Sequence, residues 1–230
     1  MQTLPNHVAI IPDGNRRWAR EHNLPTLEGH RRGFSNALKL AKKIRSLGIS
    51  TLTLWAFSTE NWNRSAEEIS YLMKLYELYV DRQLKDALKE EIHVTHLGRK
   101  DRLPDKLMKK IDNLEEKTKK FDKFFFNFAL DYGGRNEIVR AILKMHKEKF
   151  NFGNFSEEKF IDYLDTKDTP HPNPDLIIRS GKEQRLSGFM TWQAAYAEYK
   201  FIPKHFPAIT EKDVENAVVE FGERERRFGK

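Results

Sequence analysis

Short apolar runs alternate with longer amphipathic stretches along the whole chain. VAII at 8–11, ISTLTLWAF at 49–57, IHVTHL at 92–97, FFFNFAL at 124–130 and DLIIR at 175–179 read as buried strands, with a further short strand at 199–202. Between them the apolar spacing turns helical. Phe34, Leu38, Ala41 and Ile44 share one face of a helix expected over 31–47, and Gly48 follows as a natural stop. Ser65 with Glu68 three residues on has the form of a capping box and opens a helix to about Lys89. Further helices are expected over 104–120, 137–145, 156–164 and 211–227, while 151–154 breaks the chain and TPHPNP at 169–174 is an extended, proline-stiffened loop. Strands alternating with helices long enough for parallel crossovers predict an α/β fold, a single mostly parallel central β-sheet of about six strands flanked by helices.

The strands end in polar clusters. VAII passes into Asp13, Gly14, Asn15, Arg16, Arg17 and Trp18; the second strand passes into Ser58, Thr59, Glu60 and Asn61, then Trp62 and Arg64; the fourth runs into DYGGR, and the fifth ends at Arg179. In an open α/β sheet ligands collect at the carboxyl ends of the strands, so these clusters are expected to face one crevice. Arg16, Arg17, Arg64, Arg179 and Arg185 all fall at or just beyond strand ends, with His30 and Ser187 as neutral donors. Guanidinium forks match phosphate oxygens, and a diphosphate needs several fixed donors. Asp13 could act as a helix N-cap or an ion-pair partner, but a hard oxygen ligand beside phosphates also suits Mg²⁺.

Composition narrows the classes without choosing among them. At 230 residues, with no linker or internal repeat, the chain reads as one domain spanning 1–230. Forty-one Lys and Arg against 34 Asp and Glu leave +7, which suits nucleic acid, an anionic membrane face or phosphorylated substrates. Nucleic acid would call for basic residues interleaved with exposed aromatics, whereas here the arginines gather at strand ends and the aromatics read as buried, so no nucleic-acid partner is expected. The absence of cysteine removes disulfides, thiolate metal sites and Cys nucleophiles. MQTLPNHVAII lacks the parts of a signal peptide, and no uncharged apolar run approaches ~18 residues, so the chain is expected to be soluble and cytoplasmic. The lysine-rich face over 106–120 reads as solvated and leaves open peripheral contact with anionic lipid headgroups of a membrane. There is no DDxxD, no GxxxxGK[ST] and no HExxH.

The wording of the clusters says more than their spacing. HVAII-DGN-RWA resembles the opening motif of the cis-prenyltransferases, the undecaprenyl diphosphate synthase family, and further blocks follow in the family's order: Gly29-His30, FSTENWNR at 57–64, DYGGR at 131–135, and the C-terminal segments 175–187, 192–198 and RERRFG at 224–229. The resemblance implies a transferase that adds isopentenyl diphosphate to an allylic diphosphate such as farnesyl diphosphate, giving a cis-polyprenyl diphosphate. In a bacterium that product would be undecaprenyl diphosphate, the carrier lipid of cell-wall glycans. It implies Mg²⁺ and a homodimer to which the C-terminal region contributes.

Residue by residue, the resemblance assigns Gly14, Asn15, Arg16, Arg17, Trp18, Thr26 and His30 to the allylic diphosphate, and Arg179, Arg185, Leu186 and Ser187 to isopentenyl diphosphate. Asp13 and Glu198 would hold the metal. The resemblance assigns Ser58, Thr59, Glu60, Trp62 and Arg64 to substrate binding as well, and Asn61, with Asp13, to catalysis. An amide is a poor base, so Asn61 is expected to orient His30, a pyrophosphate oxygen or a relay water, and pyrophosphate itself is the candidate proton acceptor. The apolar stripe over 65–89 reads as ordinary core by periodicity, and by the resemblance as one wall of a product tunnel opposite FFFNFAL. Some positions depart from the family pattern: Pro12 for Met, Arg16 for Gly, Thr26 where relatives often place Arg, and Lys182 and Gln184 for Gly and His. A catalytically silent subunit of the same fold is the rival reading, and it predicts damage at Asp13, the paired arginines or Glu198. None is seen.

Overall fold

The computed structural model describes residues 3–224. Six strands, β1 (His7–Ile11), β2 (Thr51–Ser58), β3 (Ile92–Leu97), β4 (Phe124–Tyr132), β5 (Leu176–Ser180) and β6 (Glu198–Ile202), form one sheet in the order β3-β4-β2-β1-β5-β6. Every neighbouring pair is parallel. This is why the strands are such continuous apolar runs: a parallel sheet is covered on both faces. Val8, Ile10 and Ile178 pack under α2 (Thr26–Ser46) and α7 (Glu211–Glu223), through Leu40, Ile44, Val214 and Phe221. Over the outer strands of that face lie α3 (Ala66–Glu90) and α4 (Asp105–Thr118), where Leu72, Tyr76 and Val80 meet Val94, Ile111 and Phe128. Ala9, Ile11, Ala129 and Ile177 face the other way, against Phe189, Met190 and Ala194. The helices α1 (Asn15–Glu21), α5 (Gly134–Lys147) and α6 (Glu157–Ile161) complete the chain.

Several boundaries differ from the sequence reading, each for a local reason. α2 starts at Thr26, five residues early, because Pro25 supplies the extended N-cap and Glu28 the acidic first turn, which puts His30 inside the helix. β4 runs on through Asp131 to Tyr132 because Tyr132 still pairs with Ser58, although Asp131 sits at φ 53°. α7 ends at Glu223, and Arg224 turns extended at φ −85°, ψ 136°. The remainder of the expected helix, 225–227, and the rest of the RERRFG block lie outside the described residues.

The order of the strands fixes where a ligand can sit. From β1 the chain moves outward through β2 and the far edge, then returns to β5 on the opposite side of β1. The crevice above the β1/β5 junction is therefore the topological switch point, with Ile11 paired to Arg179 at its rim.

A buried polar ladder holds the central strands from the inner side. His7 donates from Nδ1 to the His171 carbonyl (2.8 Å), and its Nε2 meets the Thr53 hydroxyl (2.7 Å), which also accepts from Asn127 Nδ2 (3.1 Å). Burial holds the His7 pKa down to about 4, so the ring stays neutral in the folded protein. As pH falls from the ordinary histidine value of about 6.5 towards 4, the unfolded chain binds a proton that the folded one refuses, so stability is lost by up to about 3 kcal/mol. Denaturant titrations from pH 7 to 4 are expected to show that loss, and His7→Asn, less stable overall, is expected to flatten it across the same window.

Candidate active site

The centre of the crevice is Asp13, two residues beyond β1. Its Oδ1 accepts from Arg17 Nη2 and its Oδ2 from Arg179 Nη2, both at 2.9 Å, so residues 166 apart in the chain are joined directly across the switch point. The Asp13 backbone N–H donates to Ser180 Oγ at 2.9 Å, fixing the turn to the end of β5. Asp13 is an ion-pair partner here, while the N-cap position of α1 belongs to Gly14.

Gly14 sits at φ 95°, and an added Cβ would stand 2.3 Å from His205 Nδ1. Both the turn and the close approach of the strap before α7 require glycine. The turn delivers Asn15, Arg16 and Arg17 onto α1, which lies directly against α2: a Cβ on Gly29 would fall 2.2 Å from the Asn15 carbonyl oxygen. That contact seats His30 one residue further on, beside the arginines. The resulting cavity of about 450 Å³ is lined by Asp13 to Arg17 together with Arg20, Thr26, His30 and Arg64.

At the other side Arg179, only 5% exposed, donates from Nη1 to Ser187 Oγ at 3.0 Å and to the Arg185 carbonyl. The Arg185 side chain turns away to pair with Glu183, which also takes Arg17 Nη1 at 3.2 Å. Leu186 contributes packing beneath the sheet.

Ser58 and Asn61 form a reciprocal cap on the 3₁₀ segment Thr59–Asn63, in which the Asn61 side-chain Oδ1 accepts from Ser58 N–H at 3.1 Å. Asn61 lines a second cavity of about 240 Å³, with Asp13, His30, Arg64, Arg179 and Ser187 also on its wall. Trp62 donates to Asp131 at 2.9 Å and steadies the loop, and Glu60 is exposed at its tip. Trp18 is buried and stacks on His22 at 4.1 Å with the Arg32 guanidinium over its ring, a packing position beneath the cavity.

Two expectations change. His30 takes its orientation from Glu68, whose Oε1 accepts from His30 Nε2 and from Arg64 Nη1, both at 3.0 Å. Ser65 caps α3 as expected, but the Glu68 carboxylate leaves the cap to reach these donors, so its spacing signalled a helix start and concealed a site residue. Glu198 does not meet Asp13. It opens β6 opposite Leu176, at the amino end of the strands, whereas Asp13 lies beyond the carboxyl end, and it pairs with Arg224 at 2.9 Å.

The second cavity leads inward. Phe34, Ala37, Leu54 and Tyr76 line both it and an apolar chamber of about 60 Å³ between α2, α3 and the sheet, which Tyr79, Val80, Phe126 and Phe128 enclose. Of the phenylalanine strand, Phe126 and Phe128 therefore face the helices, while Phe125 stacks on His93. Two cationic poles joined at one carboxylate, with an apolar space behind them, suit a molecule that has a polyphosphate head and a hydrocarbon tail.

A family model described as putative undecaprenyl diphosphate synthase matches residues 11–229. The chain belongs to the undecaprenyl diphosphate synthase family. It is a transferase of the cis-prenyltransferase type. The isoprenyl transferase of Thermotoga maritima is 45% identical over 98% of this chain and 97% of that protein, and that of Fusobacterium nucleatum subsp. nucleatum 41% identical over 99% and 97%. Among solved structures, lavandulyl diphosphate synthase from Lavandula x intermedia in complex with dimethylallyl diphosphate superposes with a TM-score of 0.94 at 37% identity, covering 99% of each chain. A probable undecaprenyl diphosphate synthase from Campylobacter jejuni gives 0.82 at 36% identity over the whole of both chains. Six parallel strands with flanking helices are thus the cis-prenyltransferase fold, as the motifs implied.

In this cis-prenyltransferase the α1–α2 contact is the steric weak point. Gly29→Ala is expected to cost about 1–3 kcal/mol, because the neighbouring atom is backbone and cannot rotate away. Thermal denaturation checks the cost, and activity is expected to fall further than stability does as His30 and Arg16 lose register.

Proposed function

We propose that the protein condenses isopentenyl diphosphate repeatedly with an allylic diphosphate, farnesyl diphosphate or a similar primer, to give a cis-polyprenyl diphosphate of undecaprenyl length. The observation that carries this reading is the pair of cationic poles that meet at Asp13, one of which leads into the apolar chamber. In this reading Gly14 to Arg17, Thr26, His30 and Arg64 hold the allylic diphosphate with its tail in the chamber. Arg179, Arg185 and Ser187 hold isopentenyl diphosphate, with Leu186 shaping the strand below, and Trp18 supports the first pole from beneath. Binding both heads beside one carboxylate brings C1 of the primer to C4 of its partner, a proximity that supplies roughly 7–11 kcal/mol when well aligned. The C1–O bond breaks, its electrons leave on the diphosphate, and the double bond of isopentenyl diphosphate closes on C1. The departed pyrophosphate then takes the C2 proton of the added unit, and the C–H electrons form the new cis double bond. Arg16, Arg17 and Arg64 stabilise the charge growing on the leaving diphosphate, and Ser58, Thr59, Glu60, Asn61 and Trp62 keep the loop between the heads in place.

Mg²⁺ fits this donor set as an ion shared with substrate. Asp13 offers hard oxygens with lone pairs left over after its two arginine contacts, and among the described residues no group of three or more His, Asp or Glu forms a protein-only cage. Bound there, the ion would neutralise charge on the departing diphosphate. Glu198 could join that ion only from outside this chain's own crevice, given its place at the far end of β6.

We also propose a cytoplasmic homodimer. Val139, Ile142 and Leu143 form an exposed apolar stripe on α5, with Tyr196 also exposed, and a second copy would bury that surface. No described helix is long and apolar enough to cross a membrane, and contact with the bilayer during product release would be peripheral.

Incubation with farnesyl diphosphate, radiolabelled isopentenyl diphosphate and Mg²⁺ is expected to give a chelator-sensitive ladder ending at undecaprenyl length. Asp13→Ala is expected to lower incorporation on the order of 10²–10³-fold. A ladder that stops after one addition would assign a short-chain product instead. Phe126→Ala, which opens the chamber floor without touching charge, is expected to shift the ladder towards longer chains at an unchanged rate of first addition.

A further inference from the structure

Glu68 is a buried carboxylate, 7% exposed, that meets an imidazole and two guanidiniums from three separate parts of the chain. Its Oε1 accepts from His30 on α2 and from Arg64 before α3, and its Oε2 lies 3.8 Å from Arg16 on α1. A glutamate at this position of a helix ordinarily turns back to the backbone N–H of its cap. Here that N–H is left aside, and the charge is carried inward at the expense of desolvation, which only close pairing offsets.

The pairing constrains His30. Its Nε2 carries the hydrogen donated to Glu68, and Nδ1 has no protein partner among the described residues, so Nδ1 is the polar atom that His30 has left to offer a ligand in the two cavities it lines. We propose that Glu68 is a positioning residue that makes diphosphate binding proton-coupled: it fixes the His30 tautomer and supplies the counter-charge that lets Nδ1 take up a proton when a diphosphate binds against it. This rests on the allylic-diphosphate reading of the site. A bare Nδ1 lone pair would repel a phosphate oxygen, whereas an N–H donates to it, leaving the imidazolium sandwiched between two anions.

The charges facing His30 give the direction. Burial pushes its pKa down, the Glu68 hydrogen bond and charge push it up, and Arg64 and Arg16 push it down, with a net lowering in the free protein. The ring is therefore neutral before ligand arrives. A diphosphate cancels the field of the two arginines and adds its own negative charge, raising that pKa and drawing in a proton. The phosphate's own response has the opposite sign, since binding among guanidiniums drives protons off it.

The test is calorimetry of inorganic pyrophosphate binding at about pH 8, without metal, in buffers of different ionisation enthalpy, which counts protons exchanged. Wild type is expected to take up a net proton fraction, Glu68→Gln to lose the uptake or reverse it to release, and Glu68→Asp to recover part. Nitrogen chemical shifts of His30 in the wild type supply a check that needs no variant, with both ring nitrogens protonated once pyrophosphate is bound. Pyrophosphate binding with no uptake in wild type, or uptake unchanged in Glu68→Gln, would overturn the role of Glu68 and leave the diphosphate site standing. No pyrophosphate binding at all would overturn both.

Discussion

The adjacency of β1 and β5 is the constraint on which the site depends. Because all six strands are parallel, their carboxyl ends share one edge, and because the strand order reverses at β1, the edge is open there. Asp13 and Arg179 close across that opening at 2.9 Å, and each is tied further: Asp13 through its backbone to Ser180, Arg179 to Ser187 and the Arg185 carbonyl. A slip of one residue between the two strands would move Arg179 to the other face of the sheet and leave a buried guanidinium without its carboxylate.

Arginines of the crevice are also paired within the chain. Arg17, Arg64 and Arg179 each have a carboxylate partner, supplied by Asp13, Glu183 or Glu68. These acids hold the guanidiniums in ligand-ready geometry and offset their mutual repulsion, so that binding an anion reorders few side chains.

Much of this was legible in the chain itself. The apolar runs predicted all six strands, since a parallel sheet buries both faces and leaves no alternation to misread. Asp13, the arginines and His30 could be placed near strand ends because strand ends are short-range features. What stayed hidden depends on which elements become neighbours. Glu68 obeys a local rule for helix starts, and only the packing of α3 beside α2 reveals that its carboxylate serves His30. Glu198 carries the motif residue expected beside the metal, yet register places it at the opposite end of its strand, a matter of pairing that no local pattern encodes. Trp18, inside the most telling motif, packs beneath the crevice.

The apolar chamber lies between α2 and α3, and its walls are Phe34, Tyr76, Tyr79, Phe126 and their neighbours, with no charged side chain among them. The charged crevice is carried by the turn after β1, by α1, by the first turns of α2 and by the end of β5. The two spaces share Phe34, Ala37, Leu54 and Tyr76 at their junction, and the charged groups stop there. A scaffold divided in this way separates shape from charge, so substitutions deeper along the seam resize the apolar space and leave the ion pairs untouched.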